Sequence, residues 1–374
     1  MEKPLRPVWA EINLGHAAHN VAEFKRLIGP DCQLMAVIKA NAYGHGDLEL
    51  ARTALANGAS WLAVALPEEG ARLRRAGIAA PILVLGAVSL PQLELCAAKD
   101  LAVTVFQWDI AQALSNIARR LQKTVKVHVK VDTGMTRLGI QPEETVDFAK
   151  RLLGLPGIEV QGIYTHFACA DQLHDTYTQW QWQRFSWVLM ELQKEQIQIP
   201  LRHCANTAAT ILMPETRLDL VRVGLGIYGL HPCAETSYSL IDLKPVMSLH
   251  TQVMALKRVP KGTGVSYGRA FVTWKDTTIA VLPIGYADGL LRQVGEKGAA
   301  LINGRRHHFA GRVTMDHCMV DVGDLEVEIG DVATLIGRQG TEAITVDDWA
   351  EWLDTINYEI PCLISERVTR IYCK

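Results

Sequence analysis

No apolar run in this chain is long enough to cross a bilayer. Stretches such as residues 61–66 fall far short of the ~20 residues that a spanning helix needs. Charge of one sign is also missing: a formal net charge of -2 over 374 residues gives no electrostatic reason for nucleic acid or an anionic membrane as partner. Cysteines are few and scattered, at Cys32, Cys96, Cys169, Cys204, Cys233, Cys318, Cys362 and Cys373, with no C-x-x-C pair. That pattern reads as reduced, mostly buried thiols in a cytosolic protein, not as a disulfide framework. Histidines include His307-His308 and the pair His16 and His19. Without an H-E-x-x-H or a Cys/His cluster at ligand spacing, no metal is expected. The start, Met1 to Glu11, has neither an apolar core nor a small-residue cleavage site, so secretion is not expected.

What is present is a chain that is 49% hydrophobic and 21% charged, a balance that suits a soluble globular protein with a large core. At roughly 100–200 residues per domain its length suggests two domains, one of which could be a barrel. Short β-branched runs recur at 34–38, 62–65, 82–85, 102–106, 125–131, 160–164, 201–204 and 220–223. Helical stretches lie between them, at 48–57, 67–76, 91–99, 110–122, 142–153 and 177–195. Pro67, Pro91 and Pro142 stand where first-turn prolines belong, and Gly58 and Gly77 stand just past helix ends. Near-continuous apolar strands with crossover helices predict a parallel sheet, and eight such units predict a (β/α)8 TIM-like barrel ahead of an open doubly wound sheet. The barrel is expected over 1–243, with its first helix at 14–27. The first ten or so residues, including Pro7-Val8-Trp9, could instead pair with the second domain.

From Leu243-Lys244-Pro245 the pattern changes. Residues 247–259 alternate apolar and polar, and turn signals recur at Lys261-Gly262, Ala287-Asp288-Gly289, Asn303-Gly304 and Val322-Gly323-Asp324. A mainly β C-terminal domain is predicted over 244–374, interrupted by a helix at 346–352 capped by Thr345.

The segment richest in chemistry is Ala36-Val37-Ile38-Lys39-Ala40-Asn41-Ala42-Tyr43-Gly44-His45-Gly46. A lysine at the carboxyl end of a barrel strand faces the mouth, where barrel enzymes place their chemistry. Position alone favours a lysine whose ammonium simply reaches solvent. Asn41, Tyr43 and His45 close by shift the balance toward an amine of lowered pKa that forms a Schiff base. This run resembles the pyridoxal-phosphate attachment segment of bacterial alanine racemases, and the remaining motifs of that family follow in order to Lys374.

The resemblance implies a pyridoxal 5′-phosphate-dependent isomerase that interconverts L- and D-alanine and supplies D-alanine for peptidoglycan and cell wall biogenesis. It also implies a cytoplasmic homodimer with active sites shared across the interface. Lys39 would hold the cofactor, with Tyr43 beside its phosphate. In Lys130-Val131-Asp132-Thr133-Gly134-Met135-Thr136-Arg137, two cations seven residues apart at a strand end suit an anionic ligand better than a core; a solvated loop with one ion pair is the plain alternative. Asp132-Thr133-Gly134 has the letters of an aspartic-protease triplet but ends a parallel strand, so that reading is rejected. The family pattern gives Arg137 the phenolic oxygen of the cofactor and a share in substrate binding. Lys130 corresponds to the lysine that can be carbamylated and positions that arginine. Thr136 stands where the family usually has glycine.

A strand-end histidine such as His166 is by itself more often structural than catalytic; the family places it against the pyridine ring. Asn206-Thr207 and Gly224-Leu225 follow successive strands, where barrel enzymes commonly bind phosphate. The G-x-G-x-x-G match beginning at Gly224 does not open a helix and is accidental. Arg222 on its own reads as a surface ion pair. Opposite the ring nitrogen it would keep that nitrogen unprotonated, because a guanidinium does not give up its proton.

Racemisation needs two bases on opposite faces of Cα. Lys39 serves one, and the family pattern makes Tyr267, in Ser266-Tyr267-Gly268, the other, reaching in from the opposite subunit. Tyr286 would stand at the substrate entrance, Met315 and Asp316 would bind the substrate carboxylate across the dimer, and Tyr358 would contact the phosphate side. Thr314 and Thr369 depart from the family's usual residues. Two aromatic walls at the entrance favour a substrate as small as alanine. The competing readings are a decarboxylase of the same fold, which usually offers a glutamate to the ring nitrogen, a broader-specificity racemase, and a single-barrel cofactor carrier lacking the β domain.

Overall fold

The computed structural model describes residues 5–172, 174–233, 236 and 241–374. Residues 1–4 of the start read above, and part of the stretch before the expected change of pattern near Leu243, lie outside these. The chain divides into two compact units. One comprises His16–Ala42 and Asp47–Lys244, the other the residues through Gly15 together with Tyr43–Gly46 and Pro245–Lys374.

Strand β1 (Val8–Asn13) belongs to the latter unit. The former is built on β2 (Gln33–Val37), β3 (Trp61–Val64), β4 (Ile82–Val84), β5 (Ala102–Val105), β6 (Val125–Lys130), β7 (Ile158–Tyr164), β8 (Leu201–His203) and β9 (Leu220–Val223). These eight pair side by side in the order β8-β7-β6-β5-β4-β3-β2-β9. The ring closes where Asp219 N–H donates to the Arg202 carbonyl and Arg222 N–H to the Ala205 carbonyl. The expected (β/α)8 barrel is the fold, and every expected strand overlaps an observed one. The reason is legible in burial: strands such as β3, β4, β5 and β9 are buried along their whole length, as strands covered by helices on one side and filled on the other must be. Helix Pro67–Arg75 opens on its proline as predicted, whereas Pro142 opens a short 3-10 turn ahead of helix Thr145–Leu153.

Inside the barrel the filling is not purely aliphatic. Alternation along β6 turns His128 and Lys130 inward together. Lys130 pairs in register with Tyr164, and Tyr164 with His203. Tyr164 stacks on His203 at 4.7 Å, and His128 meets His203 edge-on at 5.1 Å. The Tyr164 hydroxyl reaches Thr104 Oγ1 at 2.8 Å, and Thr104 donates to the Val84 carbonyl. Room for His128 comes from Gly162, where an added Cβ would stand 2.3 Å from Nδ1.

The other unit carries a sheet in the order β16-β15-β18-β10-β1-β20, with β19 pairing on β18. Its strands are β10 (Met247–Gln252), β15 (Ala299–Ile302), β16 (Arg305–His308), β18 (Val332–Gln339), β19 (Glu342–Ile344) and β20 (Thr369–Cys373). A three-stranded sheet of β11 (Ala255–Val259), β14 (Thr277–Leu282) and β17 (Cys318–Gly323) and a hairpin of β12 (Gly264–Val265) and β13 (Phe271–Val272) complete it. All pairings are antiparallel except β1 with β20. Asn303-Gly304 forms the predicted tight hairpin between β15 and β16, both residues at positive φ. Helix Val346–Leu353 is capped by Thr345 Oγ1, which accepts from Asp348 N–H. Residues 247–259 are two strands in different sheets, because the backbone changes partner at Val253 and Met254, whose N–H groups go to Asp331 and Val281.

Two expectations follow from the buried polar layer. Gly162→Ala would drive a methyl into His128 and should lower stability by about 1–3 kcal/mol; an unchanged urea midpoint would show the layer to be loosely packed. Burial lowers His128 to about 3 and holds His203 well below its ordinary value. Unfolded histidines titrate near ~6.5, so below that pH the unfolded chain binds more protons than the folded one. Stability should be fully present above pH ~6.5 and fall below it, by ~1.4 kcal/mol per pH unit for each of the two. Denaturant melts across that range read the slope directly, and a flat profile would contradict it.

Candidate active site

Lys39 follows β2 at the carboxyl end of the barrel and is half-buried. Beyond it the chain does something no loop composition would suggest. Ala40, Asn41, Ala42 and Tyr43 all sit at φ between 51° and 54°, a left-handed turn built without glycine. Each such residue costs about 1–2 kcal/mol against the right-handed form. Inside the turn Ala42 N–H donates to the Ile38 carbonyl. From outside, Glu69 Oε1 accepts the Ala40 N–H at 2.7 Å, and Asn41 Oδ1 accepts the Asp47 N–H at 3.0 Å.

Arg222, on β9, is buried beneath the same mouth. Nη1 donates to His203 Nδ1 at 3.0 Å; Nη2 donates to the carbonyls of Thr165 and Cys204 and to His166 Nδ1. A guanidinium has donors only, so both histidines must present a bare Nδ1 and remain neutral. Neutral His203 then carries its proton on Nε2 and donates to His128 Nδ1 at 2.9 Å. His166 is held well below its ordinary pKa by burial, then by the charges of Lys130, Arg222, Arg137 and Lys39. Burial is also the main reason that Lys130 lies well below its ordinary value; Arg222 and Arg137 add to it, and Asp132 opposes them. Its Nζ rests 4.2 Å from the Tyr164 ring centroid.

The Lys130–Arg137 loop is folded by Asp132, whose Oδ1 accepts from Gly134 and Thr136 N–H. Thr136 itself takes φ 53°, the conformation for which glycine would be the easier residue. Arg137 is exposed. Asn206 caps helix Thr207–Leu212, its Oδ1 taken up by Ala209 N–H, so its side chain shapes the turn. The Thr207 hydroxyl accepts from Gly224 N–H at 3.2 Å and ties the two expected phosphate loops together. Leu225 opens a 3-10 turn whose first N–H groups have no acceptor within the turn.

The barrel thus brings together Lys39, Lys130, Arg137, His166, Asn206, Thr207, Arg222, Gly224 and Leu225. Burial and the neighbouring Lys130, Arg222, Arg137 and Lys39 all disfavour a charge on His166. Nη1 and Nη2 of Arg222 are engaged, whereas Nε makes no hydrogen bond among the described residues. Such a donor set fits a ligand with a phosphate, a phenolic oxygen and a ring nitrogen that accepts, which is pyridoxal 5′-phosphate.

The other unit holds the remaining candidates in two groups. Tyr43 and Tyr358 stand with ring centroids 6.5 Å apart, and burial pushes the Tyr43 hydroxyl up, with Tyr358 and Cys362 adding to the effect. Tyr267, Tyr286 and Met315 are exposed on loops that are laced to one another. Ser266 Oγ donates to the Arg312 carbonyl, Tyr286 N–H to Thr314 and Ala287 N–H to Met315. Asp316 pairs with Arg367 at 2.7 Å, and fully buried Asp288 binds Arg6, Arg367 and the Gly285 N–H.

Sequence reading passed over Glu69, His203, His128 and the Asp288 hub. Glu69 stands three residues after an apolar residue, Leu66, so the usual Ser/Thr capping-box letters are absent. His203 had a usable signal, since it directly precedes the Asn206-Thr207 loop.

Two family models, the alanine racemase N-terminal and C-terminal domains, match residues 12–232 and 246–372. The alanine racemase of Methanococcus maripaludis is 46% identical over 368 residues, covering 98% of this chain and 98% of its own. That of Halothermothrix orenii is also 46% identical, covering 98% and 97%. The solved alanine racemase of Bacillus anthracis with bound L-Ala-P superposes with a TM-score of 0.94 at 40% identity, over 100% of this chain and 96% of that one. The enzyme of a D-cycloserine-producing Streptomyces lavendulae gives 0.95 at 37%, over 100% and 98%. Matched in order by both models and alike over nearly its whole length, the chain belongs to the alanine racemase family.

Proposed function

We propose that this chain interconverts L- and D-alanine by two-base proton transfer at Cα, with pyridoxal 5′-phosphate as cofactor. The observation that carries the reading is buried Arg222 with His166 and His203 as neutral acceptors, at the same barrel mouth as Lys39. When bound, the cofactor supplies the electron sink that acidifies the Cα–H of the amino acid it carries. Lys39 would hold it, with Tyr43, His166, Asn206, Thr207, Gly224, Leu225 and Tyr358 as the binding shell. Arg222 would hold the ring nitrogen without protonating it, which limits side reactions elsewhere on the ring and favours return of the proton to Cα.

Lys39 then moves a proton on one face of Cα and Tyr267 on the other. Tyr267 is 70% exposed, and with Tyr286 and Met315 it forms an outward-facing group. That exposure suits a homodimer in which these loops complete the partner's site, with Met315, Asp316 and Arg137 receiving the substrate carboxylate. Burial draws the Lys130 amine toward its uncharged form, the form of lysine that adds carbon dioxide, and the resulting carbamate would hold Arg137. Among the described residues no helix is long and apolar enough to cross a membrane. A cytoplasmic supply of D-alanine for peptidoglycan is the role that suits this chemistry. The decarboxylase reading loses its main support, since Arg222 stands where that class usually has a glutamate.

Incubation with pyridoxal phosphate and L-alanine should yield D-alanine until the two enantiomers are equal; none formed sinks the proposal. In deuterated water, Tyr267→Phe should slow Cα exchange from one enantiomer by about 10²–10⁴-fold while cofactor binding is kept. Equal slowing of both enantiomers would refute the two-base assignment.

A further inference from the structure

The left-handed turn after Lys39 is strained, and something must hold it. Helix Pro67–Arg75 reaches both the turn's first residue, Ala40, and Asp47, which opens the next helix. Glu69, half-buried, spreads one carboxylate over three backbone N–H groups: Oε1 takes Ala40, while Oε2 takes Ala65 and Leu66 at 2.8 and 3.0 Å. Three residues on, and so on the same helix face, Arg72 lies 2.7 Å from the buried Asp47 carboxylate. The Asp47 N–H is in turn held by Asn41 Oδ1. Asp47 Oδ2 has no aligned donor, so the Arg72 contact acts through charge rather than as a hydrogen bond.

We propose that Glu69, assisted by Arg72, is a positioning residue for Lys39, clamping the left-handed turn that sets the direction of the lysine. The inference rests on Lys39 being the cofactor lysine. A helix cap alone needs Glu69 to serve only the loop before its own helix, where Leu66 N–H sits. The bond to Ala40 does nothing for that helix; it reaches into the loop after the neighbouring strand. Non-glycine residues keep a left-handed conformation only where their surroundings over-determine it, and Glu69 contributes a charged acceptor to the turn's first N–H. Glu68, adjacent and exposed, bonds the Gln92 side chain and serves as the internal control.

Two measurements on Glu69→Ala test the clamp. In protein stripped of cofactor, amide hydrogen exchange at Ala40 and Ala42 should accelerate at least ~10-fold relative to Glu68→Ala. In the holoenzyme, kcat should fall about tenfold with KM for alanine changed little, because the lysine is misdirected rather than the substrate unbound. Adding Ala40→Gly and Ala42→Gly to Glu69→Ala should recover part of kcat, since glycine adopts the turn without the clamp. Should Glu69→Ala fail to fold, Arg72→Met, altered at an exposed side chain, should still speed exchange at residues 40–42. Faster exchange confined to Ala65 and Leu66, an unchanged kcat, or no recovery with glycine would each overturn the clamp. Exchange in the cofactor-free protein does not depend on racemisation, so a failed clamp and a failed racemase reading are told apart.

Discussion

A guanidinium sealed inside a barrel keeps its proton, and everything around it must accept. Arg222 meets that demand with two carbonyls and two imidazole nitrogens, and the imidazoles are thereby kept neutral. The constraint propagates. His203 donates its remaining N–H to His128, His128 needs the space left by Gly162, and Tyr164 is pinned between His203 and Thr104. Lys130, near that positive charge and out of water, is biased toward the uncharged amine. A buried cation among neutral acceptors weakens an aromatic nitrogen as a proton acceptor, and that suits a reaction in which the proton must return to Cα.

The two units divide the chemistry differently. The barrel supplies a buried polar layer fixed by strand register, in which Lys130, Tyr164 and His203 are the last residues of β6, β7 and β8. The other unit supplies loops whose tyrosines and methionine face outward but whose backbones are tied together through Arg312, Thr314 and Met315. Held backbones with exposed tips suit loops that act on a partner. In both units the loops that carry the candidate residues store strain at positive φ, at Ala40, Asn41 and Ala42 in one and at Ser266 and Arg269 in the other.

Much of this was legible in the chain. Near-continuous apolar runs named the barrel strands, because a strand buried on both faces carries few polar residues. Asn303-Gly304 named its hairpin because its backbone demands positive φ twice. Lys39 and Thr207 could be singled out because each follows a predicted strand, whereas Arg222 was singled out by the family resemblance. What stayed hidden depended on residues far apart in sequence. Nothing in Ala-Asn-Ala-Tyr asks for a left-handed turn; Glu69, 29 residues from Ala40, helps impose it. The inward turn of His128 needs a glycine on the next strand. The alternation over 247–259 was real, yet it could not show that the partner strand changes halfway, since alternation reports faces and not neighbours.

We propose above all that Lys39 from one copy and Tyr267 from another complete a single site. Lys39→Ala and Tyr267→Phe, each inactive alone, can be mixed under conditions where subunits exchange. In a two-fold hybrid one site then carries both substitutions and the other carries neither. Random exchange should therefore restore about a quarter of native racemase activity per total protein. Full exchange with no restored activity would show that both residues serve the same chain's site, or that they do not act together at all.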